Sequence, residues 1–108
     1  MPDALDVPDD LVTLERARAG AWDELITYST RISIERRDLF PDPGQIVERQ
    51  TWPPEQAVVL EELRDAYDGA ARAVRHHPVM VRALEERCHY ATELALRAAA
   101  KNSAATAV

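Results

Sequence analysis

The side chains with the most reactive chemistry are concentrated in residues 72 to 90, RAVRHHPVMVRALEERCHY. This stretch contains all three histidines and the only cysteine of the chain. Imidazole and thiolate groups bind zinc and act as bases or nucleophiles. On one continuous helix, however, His77 and Cys88 would lie about 16 Å apart, and His76 and His77 would point about 100° apart. We therefore expect no metal site and no catalytic residue here.

Glu86 and His89 have the Glu-x-x-His spacing with which some helical bundles bind two iron ions. That chemistry requires both side chains to point into the core, but the apolar seam of this segment passes through Leu84 on another face. Arg82 precedes Glu86 by four positions and Glu93 follows His89 by four, a spacing typical of weak surface ion pairs. We expect a solvated ladder of charges.

A local excess of positive charge lies in the same segment. Residues 69 to 84 contain no acid, and they include Arg72, Arg75, His76, His77 and Arg82. Guanidinium groups suit the bidentate recognition of a phosphate, a carboxylate or an acidic partner. Alternatively, the patch complements the acidic N-terminal segment of the same chain or of a second subunit, which contains Asp3, Asp6, Asp9 and Asp10. Both interpretations remain open.

Polar residues interrupt the apolar seams at Arg18 and Glu35 in the first helix and at His77 in the later segment. Buried polar groups cost folding free energy unless they are paired, and they can set an oligomeric state or line a ligand cavity. Arg18 and Glu35 would lie about 25 Å apart along one helix and cannot pair within it. Two antiparallel copies of this helix could bring Arg18 of one near Glu35 of the other. The alternative is that both positions are exposed.

The elements that position these residues are helical. Asp9 and Asp10 suit the N-terminus of a helix, which we expect to span about residues 9 to 38. Its apolar seam comprises Leu11, Leu14, Ala21, Leu25, Tyr28, Ile32 and Leu39. Four prolines and a glycine make residues 39 to 54 a loop. Its apolar side chains, such as Trp52, should hold it against the helices.

A second long helical segment is expected from about residue 54 to 101, since Pro54 followed by Glu55 suits a first helical turn. Its seam keeps one phase across Pro78 and comprises Leu60, Leu63, Tyr67, Ala70, Val74, His77, Val81, Leu84, Cys88, Ala91, Ala95 and Ala98. This continuity favours one helix kinked at Pro78. The alternative is a break at His77, because a residue before proline avoids the helical conformation, with Pro78 beginning a third helix.

The lengths of these segments bear on association. An unbroken helix over residues 54 to 101 would be about 70 Å long, whereas the first helix would be about 45 Å long. The first helix cannot cover the longer one alone, so an unbroken helix would need a second subunit, and we expect a homodimer. A chain that folds back at Pro78 could instead form a monomeric three-helix bundle.

The composition is typical of one globular domain: 108 residues, 46% hydrophobic and 30% charged. We expect flexible ends at residues 1 to 8 and 102 to 108. The net charge of −6 disfavours a nucleic-acid partner. Apolar runs fall far short of the roughly 20 residues that cross a bilayer, so no membrane partner is expected. The single cysteine fits a reducing compartment, and we expect a cytoplasmic location.

The chain contains no glycine-rich phosphate loop, nucleophile elbow or Cys-x-x-Cys motif. We therefore expect a small, cytoplasmic, non-catalytic all-α protein that self-associates and acts by protein–protein contacts, as a regulator, adaptor or subunit. The alternative is a small all-α enzyme or ligand-binding protein with an interhelical cavity for an anionic metabolite. The candidate residues for an anion or partner site are Arg18, Glu35, Arg72, Arg75, His77 and Arg82. No cofactor is predicted.

Overall fold

The computed structural model describes residues 3 to 106, with side chains described to residue 102. This part of the chain forms five α-helices and no strand: α1 (Asp9–Leu39), α2 (Ile46–Gln50), α3 (Pro54–Arg75), α4 (Pro78–Glu85) and α5 (His89–Thr106). The all-α prediction and the long first helix are confirmed. None of the described helices is long and apolar enough to cross a membrane.

Helix α1 begins where the acidic pair predicted it. In the first turn, the N–H of Leu11 donates both to the Asp10 carboxylate at 3.0 Å and to the Pro8 carbonyl at 3.1 Å. Leu11, Leu25 and Ile32 of the predicted seam are buried. Leu39 is 66% exposed and is the last residue of the helix.

The proline-rich connection contains one short helix, α2, which the sequence prediction treated as loop. Arginine side chains hold the connection in place through its carbonyl groups. Arg49 donates to the carbonyls of Phe40, Pro41 and Asp42, and Arg36 donates to that of Thr51 at 2.8 Å. The segment is therefore anchored by hydrogen bonds as well as by apolar contacts.

The later helical segment is broken at His76 and His77, so the favoured prediction of a single kinked helix is wrong and the alternative, a break at His77 with Pro78 beginning a new helix, is confirmed. His77 has an extended backbone with ψ of 138°, and Pro78 is the first residue of α4. An extended residue between two helices interrupts the helical periodicity, so the face of α4 that meets the core no longer follows from the seam of α3. Met80 and Ala83 are consequently buried, while the predicted seam residues Val81 and Leu84 are 43% and 67% exposed.

A second break, which the sequence analysis did not predict, separates α4 from α5. Arg87 adopts a left-handed conformation with φ of 58°. The N–H of Cys88 donates to the Ala83 carbonyl at 2.9 Å, and the N–H of Arg87 to that of Leu84 at 3.3 Å. These two bonds define a Schellman motif, which ends a helix by satisfying its last carbonyls. Cys88 is buried, as predicted, and α5 begins directly after it.

The described residues divide into two compact units. Unit 1 combines the chain up to Gly20 with the chain from Asp68 onward, and unit 2 spans Ala21–Tyr67, so α1 and α3 contribute to both. The main hydrophobic core lies in unit 1 and consists of Leu11, Val12, Val74, Met80, Leu96 and Ala100. The organisation as a single domain remains a prediction.

The segment before α1, which we expected to be flexible, packs against the rest of unit 1. The Leu5 N–H donates to the hydroxyl of the fully buried Thr92 at 3.0 Å, and Val7 packs against the core. At the other end, the backbone of α5 continues to Thr106, beyond the expected helix end at 101. Residues 1, 2, 107 and 108 lie outside the described part of the chain.

Unit 2 is an antiparallel helical hairpin joined by the connection that contains α2. The ring of Trp22 on α1 lies 5.1 Å from that of Tyr67, late in α3. Further along α1, the ring of Tyr28 lies 6.3 Å from that of Trp52, which directly precedes α3. Leu25 and Ile32 are the buried apolar residues of this unit. Unit 2 therefore has a much thinner core than unit 1.

Candidate functional site

His77 serves as the N-cap of α4. Its Nδ1 accepts the N–H of Val79 at 3.1 Å, and its Nε2 lies 2.9 Å from the Oδ2 of Asp10. The imidazole is 11% exposed, so it is directed inward as the seam predicted. The hydrogen bond from His77 lowers the pKa of the Asp10 carboxyl below its ordinary value. Both side-chain nitrogens are thus occupied in holding unit 1 together.

Arg18 pairs with an acid that the sequence analysis missed. Its guanidinium lies 2.6 Å from the carboxylate of Glu15, which is only 3% exposed. The two residues are three positions apart on α1, so the pair forms within one helix turn. Arg18 interrupts the apolar seam, and this correctly indicated a paired polar group. The acid that pairs with it was not predicted because Glu15 lies beside the seam and does not interrupt it. Charge pairing explains how Arg18 is accommodated.

The remaining candidate residues are divided between the two units. Arg72, Arg75 and Arg82 are exposed side chains of unit 1, and Arg82 pairs with Glu86 at 2.5 Å as the ladder predicted. Glu35 is exposed and belongs to unit 2. The three guanidinium groups lie at the surface of unit 1, and their role as an anion or partner site stays a prediction.

The charge ladder continues on α5 as expected. His89 lies 3.5 Å from Glu93, and Arg97 lies 2.5 Å from the same carboxylate. Among the described residues, no three His, Cys, Asp or Glu side chains are grouped closely enough to hold a metal ion. The histidine-rich stretch is used for capping and surface pairing.

A concave surface lies in unit 2, where α1 faces α2 and the residues that follow it. Its volume is about 610 Å³. Helix α1 contributes Ser29, Thr30, Ser33, Ile34 and Arg37, and the opposite wall consists of Ile46, Arg49, Gln50 and Trp52. We call this surface the α1–α2 groove. None of these candidate residues was predicted, although Ser29, Ser33 and Arg37 recur every four positions and so mark one face of α1.

The charges that line the α1–α2 groove are all positive. The lining includes the guanidinium groups of Arg37 and Arg49 and no carboxylate. The guanidinium of Arg49 is occupied with backbone carbonyls, as described above, whereas the exposed side chain of Arg37 forms no hydrogen bond or ion pair with any described residue. Arg37 is therefore available to an acidic group from outside.

Exposed apolar side chains are concentrated in unit 2. Large hydrophobic residues at least 36% exposed within this unit are Trp22, Ile26, Ile34, Leu39, Ile46, Val47, Val58 and Val59. Single exposed apolar residues are normal on a protein surface, but here they outnumber the buried ones of the same unit. Ile34 and Ile46 face each other across the α1–α2 groove. This surface is suited to contact with another apolar surface.

No family model, curated protein or solved structure matches this chain.

Proposed function

We propose that this protein is a non-catalytic regulator, adaptor or subunit that acts through protein–protein contacts and self-associates through unit 2. The observation that supports this proposal is the distribution of apolar side chains in the helical hairpin. Only Leu25 and Ile32 are buried, and eight large hydrophobic residues are exposed. A hairpin with this surface is completed most simply by packing against another one, as in a four-helix bundle.

The energetics favour such packing. Burying a half-exposed Val, Leu or Ile completely contributes about 1 kcal/mol. Several such residues share unit 2, including Ile34, Ile46 and Val47, the last of which is 72% exposed. Apolar anchors of this kind supply most of the free energy of an interface when they lie at its centre. The length of an unbroken second helix no longer supports a dimer, because that helix is broken, so the proposal relies on unit 2.

The mass of the protein in solution tests self-association. We expect light scattering at micromolar concentration to give twice the chain mass of 12.1 kDa. The substitutions Ile34→Asp and Ile46→Asp should each shift the protein towards monomer, since they place a charge among the exposed apolar residues. The matched control is Leu94→Asp, at an apolar position of unit 1 that is 48% exposed, between the 45% of Ile34 and the 55% of Ile46. A monomeric wild-type protein, or equal effects of all three substitutions, would contradict the proposal.

A cytoplasmic location forms part of this proposal. Its support is the single cysteine, Cys88, whose thiol is free and buried among the core residues of unit 1. A free buried thiol is compatible with a reducing compartment and needs no partner there.

The α1–α2 groove favours a second candidate function, the binding of a small anionic metabolite. Its support is the pair Arg37 and Arg49 in a lining without a carboxylate, next to Trp52. If this function is correct, citrate or another polycarboxylate should change the tryptophan fluorescence saturably, and Arg37→Gln should abolish the change. A linear or absent response would exclude it for the anions tested.

A further inference from the structure

Another surface of the same unit carries the charge opposite to that of the α1–α2 groove. On α3, one helical face carries Glu55, Val58, Glu61, Glu62 and Asp65, and all five side chains are exposed. Their spacing of three and four positions places them on one stripe, opposite the half-buried Leu60 and Leu63. We call this surface the α3 acidic stripe. It contains four carboxylates, one apolar residue and no cation.

The carboxylates of the α3 acidic stripe lack partners within the described chain. None of the four forms a hydrogen bond or an ion pair. Glu61 and Asp65 are four positions apart and Glu62 and Asp65 three, so like charges repel each other along the helix. A cation that approaches the stripe from outside would relieve this repulsion.

Building on the self-association proposed above, we infer that the α1–α2 groove of one copy binds the α3 acidic stripe of a second copy. Arg37 then faces the carboxylates around Glu62, and Val58 lies between Ile34 and Ile46. Two arguments support this choice of occupant. The groove lining has only positive charges where the stripe has only negative ones, and each surface carries exposed apolar residues beside its charges. Such complementarity sets the partner and the orientation of an interface.

A charge-exchange experiment tests this contact on the full chain. Arg37→Glu places an acid opposite the stripe, and Glu62→Arg places a cation opposite the groove. Each variant alone should raise the dimer dissociation constant by about tenfold or more, because like charges then meet across the interface. An equimolar mixture should recover wild-type affinity as a heterodimer, since each groove then faces a stripe of opposite charge.

Two exposed residues outside both surfaces provide controls with the same charge changes. They are Arg64→Glu on α3 and Glu35→Arg on α1. Neither should change the dissociation constant by more than about twofold, which is the range expected from long-range electrostatics in physiological salt. Circular dichroism of every variant confirms that the helices remain folded.

The outcomes separate this inference from the proposed function. If the wild-type protein dimerises and the charge variants match their controls, the groove–stripe contact is wrong while self-association stands. The contact is also wrong if each variant weakens the dimer but the mixture fails to restore it. If the wild-type protein is monomeric at every accessible concentration, both proposals are wrong. The contact is supported only if each variant weakens the dimer and the equimolar mixture restores wild-type affinity.

Discussion

His77 illustrates how a histidine can stabilise a helix junction without performing chemistry. Because its Nδ1 accepts the N–H of Val79, the ring proton of the neutral imidazole lies on Nε2 and is donated to Asp10. One side chain thereby caps α4 and ties it to the first turn of α1. The sequence placed His77 inward and suggested that the basic segment pairs with N-terminal acids, and for Asp10 the structure confirms that pairing.

The capping role of His77 can be separated from its pairing with Asp10. We expect His77→Ala to reduce the free energy of unfolding by about 1 to 2 kcal/mol, because the cap of α4 is lost. His77→Asn should cost less, since Asn is a favoured N-cap and its side-chain oxygen can accept the same N–H. Urea unfolding measures both values. Equal losses in the two variants would show that the cap contributes little.

The pair of His77 and Asp10 also predicts how stability depends on pH. The folded protein lowers the pKa of Asp10, so it favours the charged carboxylate. This contribution is fully present above the ordinary Asp pKa of about 3.9 in the unfolded chain and is lost as the pH falls through the lower folded value. Wild type should therefore be more stable than Asp10→Asn at pH 5, and the difference should shrink towards pH 2.

Thermal unfolding of both proteins at several pH values measures that difference. Asp9→Asn is the matched control, since Asp9 also lies in the first turn of α1 and has no hydrogen bond with His77. If the advantage of wild type over Asp10→Asn stays constant down to pH 2, the depressed pKa of Asp10 is wrong.

At the scale of elements, the breaks between helices decide which residues enter the core. His77 is extended and Arg87 is left-handed, and each conformation resets the phase of the helix that follows. As a result, Met80 and Ala83 are buried in place of Val81 and Leu84. The proline marked the first break in the sequence. The second break carried no glycine, the residue that normally marks a left-handed helix end.

Arg87 offers a direct test of the junction between α4 and α5. A non-glycine residue with φ of 58° is sterically strained by its Cβ, whereas glycine has no Cβ and adopts this conformation without strain. We expect Arg87→Gly to raise the free energy of unfolding by about 0.5 to 1 kcal/mol, because the relief of left-handed strain exceeds the backbone entropy that glycine loses on folding. Glu85→Gly, at the last residue of α4, should lower it by up to about 1 kcal/mol. A destabilised Arg87→Gly variant would contradict the left-handed conformation at this position.

At the scale of the whole molecule, burial is distributed unevenly. Unit 1 contains the core cluster and two buried polar residues, Glu15 and Thr92, whereas unit 2 buries Leu25 and Ile32 alone among its residues. Local stability follows the density of buried apolar contacts. Unit 2 should therefore open more easily than unit 1 unless another chain covers it.

Hydrogen exchange can measure this difference. In dilute protein, amides of residues 92 to 100 in α5 should be protected at least about tenfold more than those of residues 25 to 36 in α1. Raising the protein concentration should slow exchange in the second set and leave the first unchanged, because association stabilises the bound form by mass action. Uniform protection at all concentrations would contradict both the uneven burial and the association of unit 2.

The sequence by itself determined the helical class, the start of α1 at Asp9, the start of α3 at Pro54 and the surface pairing of Arg82 with Glu86. These features depend on periodicity, on capping chemistry and on contacts between residues a few positions apart, all of which are local. It also placed Cys88 and His77 inward, since the seam passes through both.

Only the tertiary structure decided that α4 buries Met80 and Ala83 and not Val81 and Leu84. It also decided that Arg18 is paired with the buried Glu15. Finally, it placed α1 against α2 so that a groove with Arg37 in its lining lies between them. Each of these depends on where the chain turns and on which distant residues then meet. A helical pattern specifies the faces of a helix, but the backbone conformation of single residues such as Arg87 specifies which face meets the core.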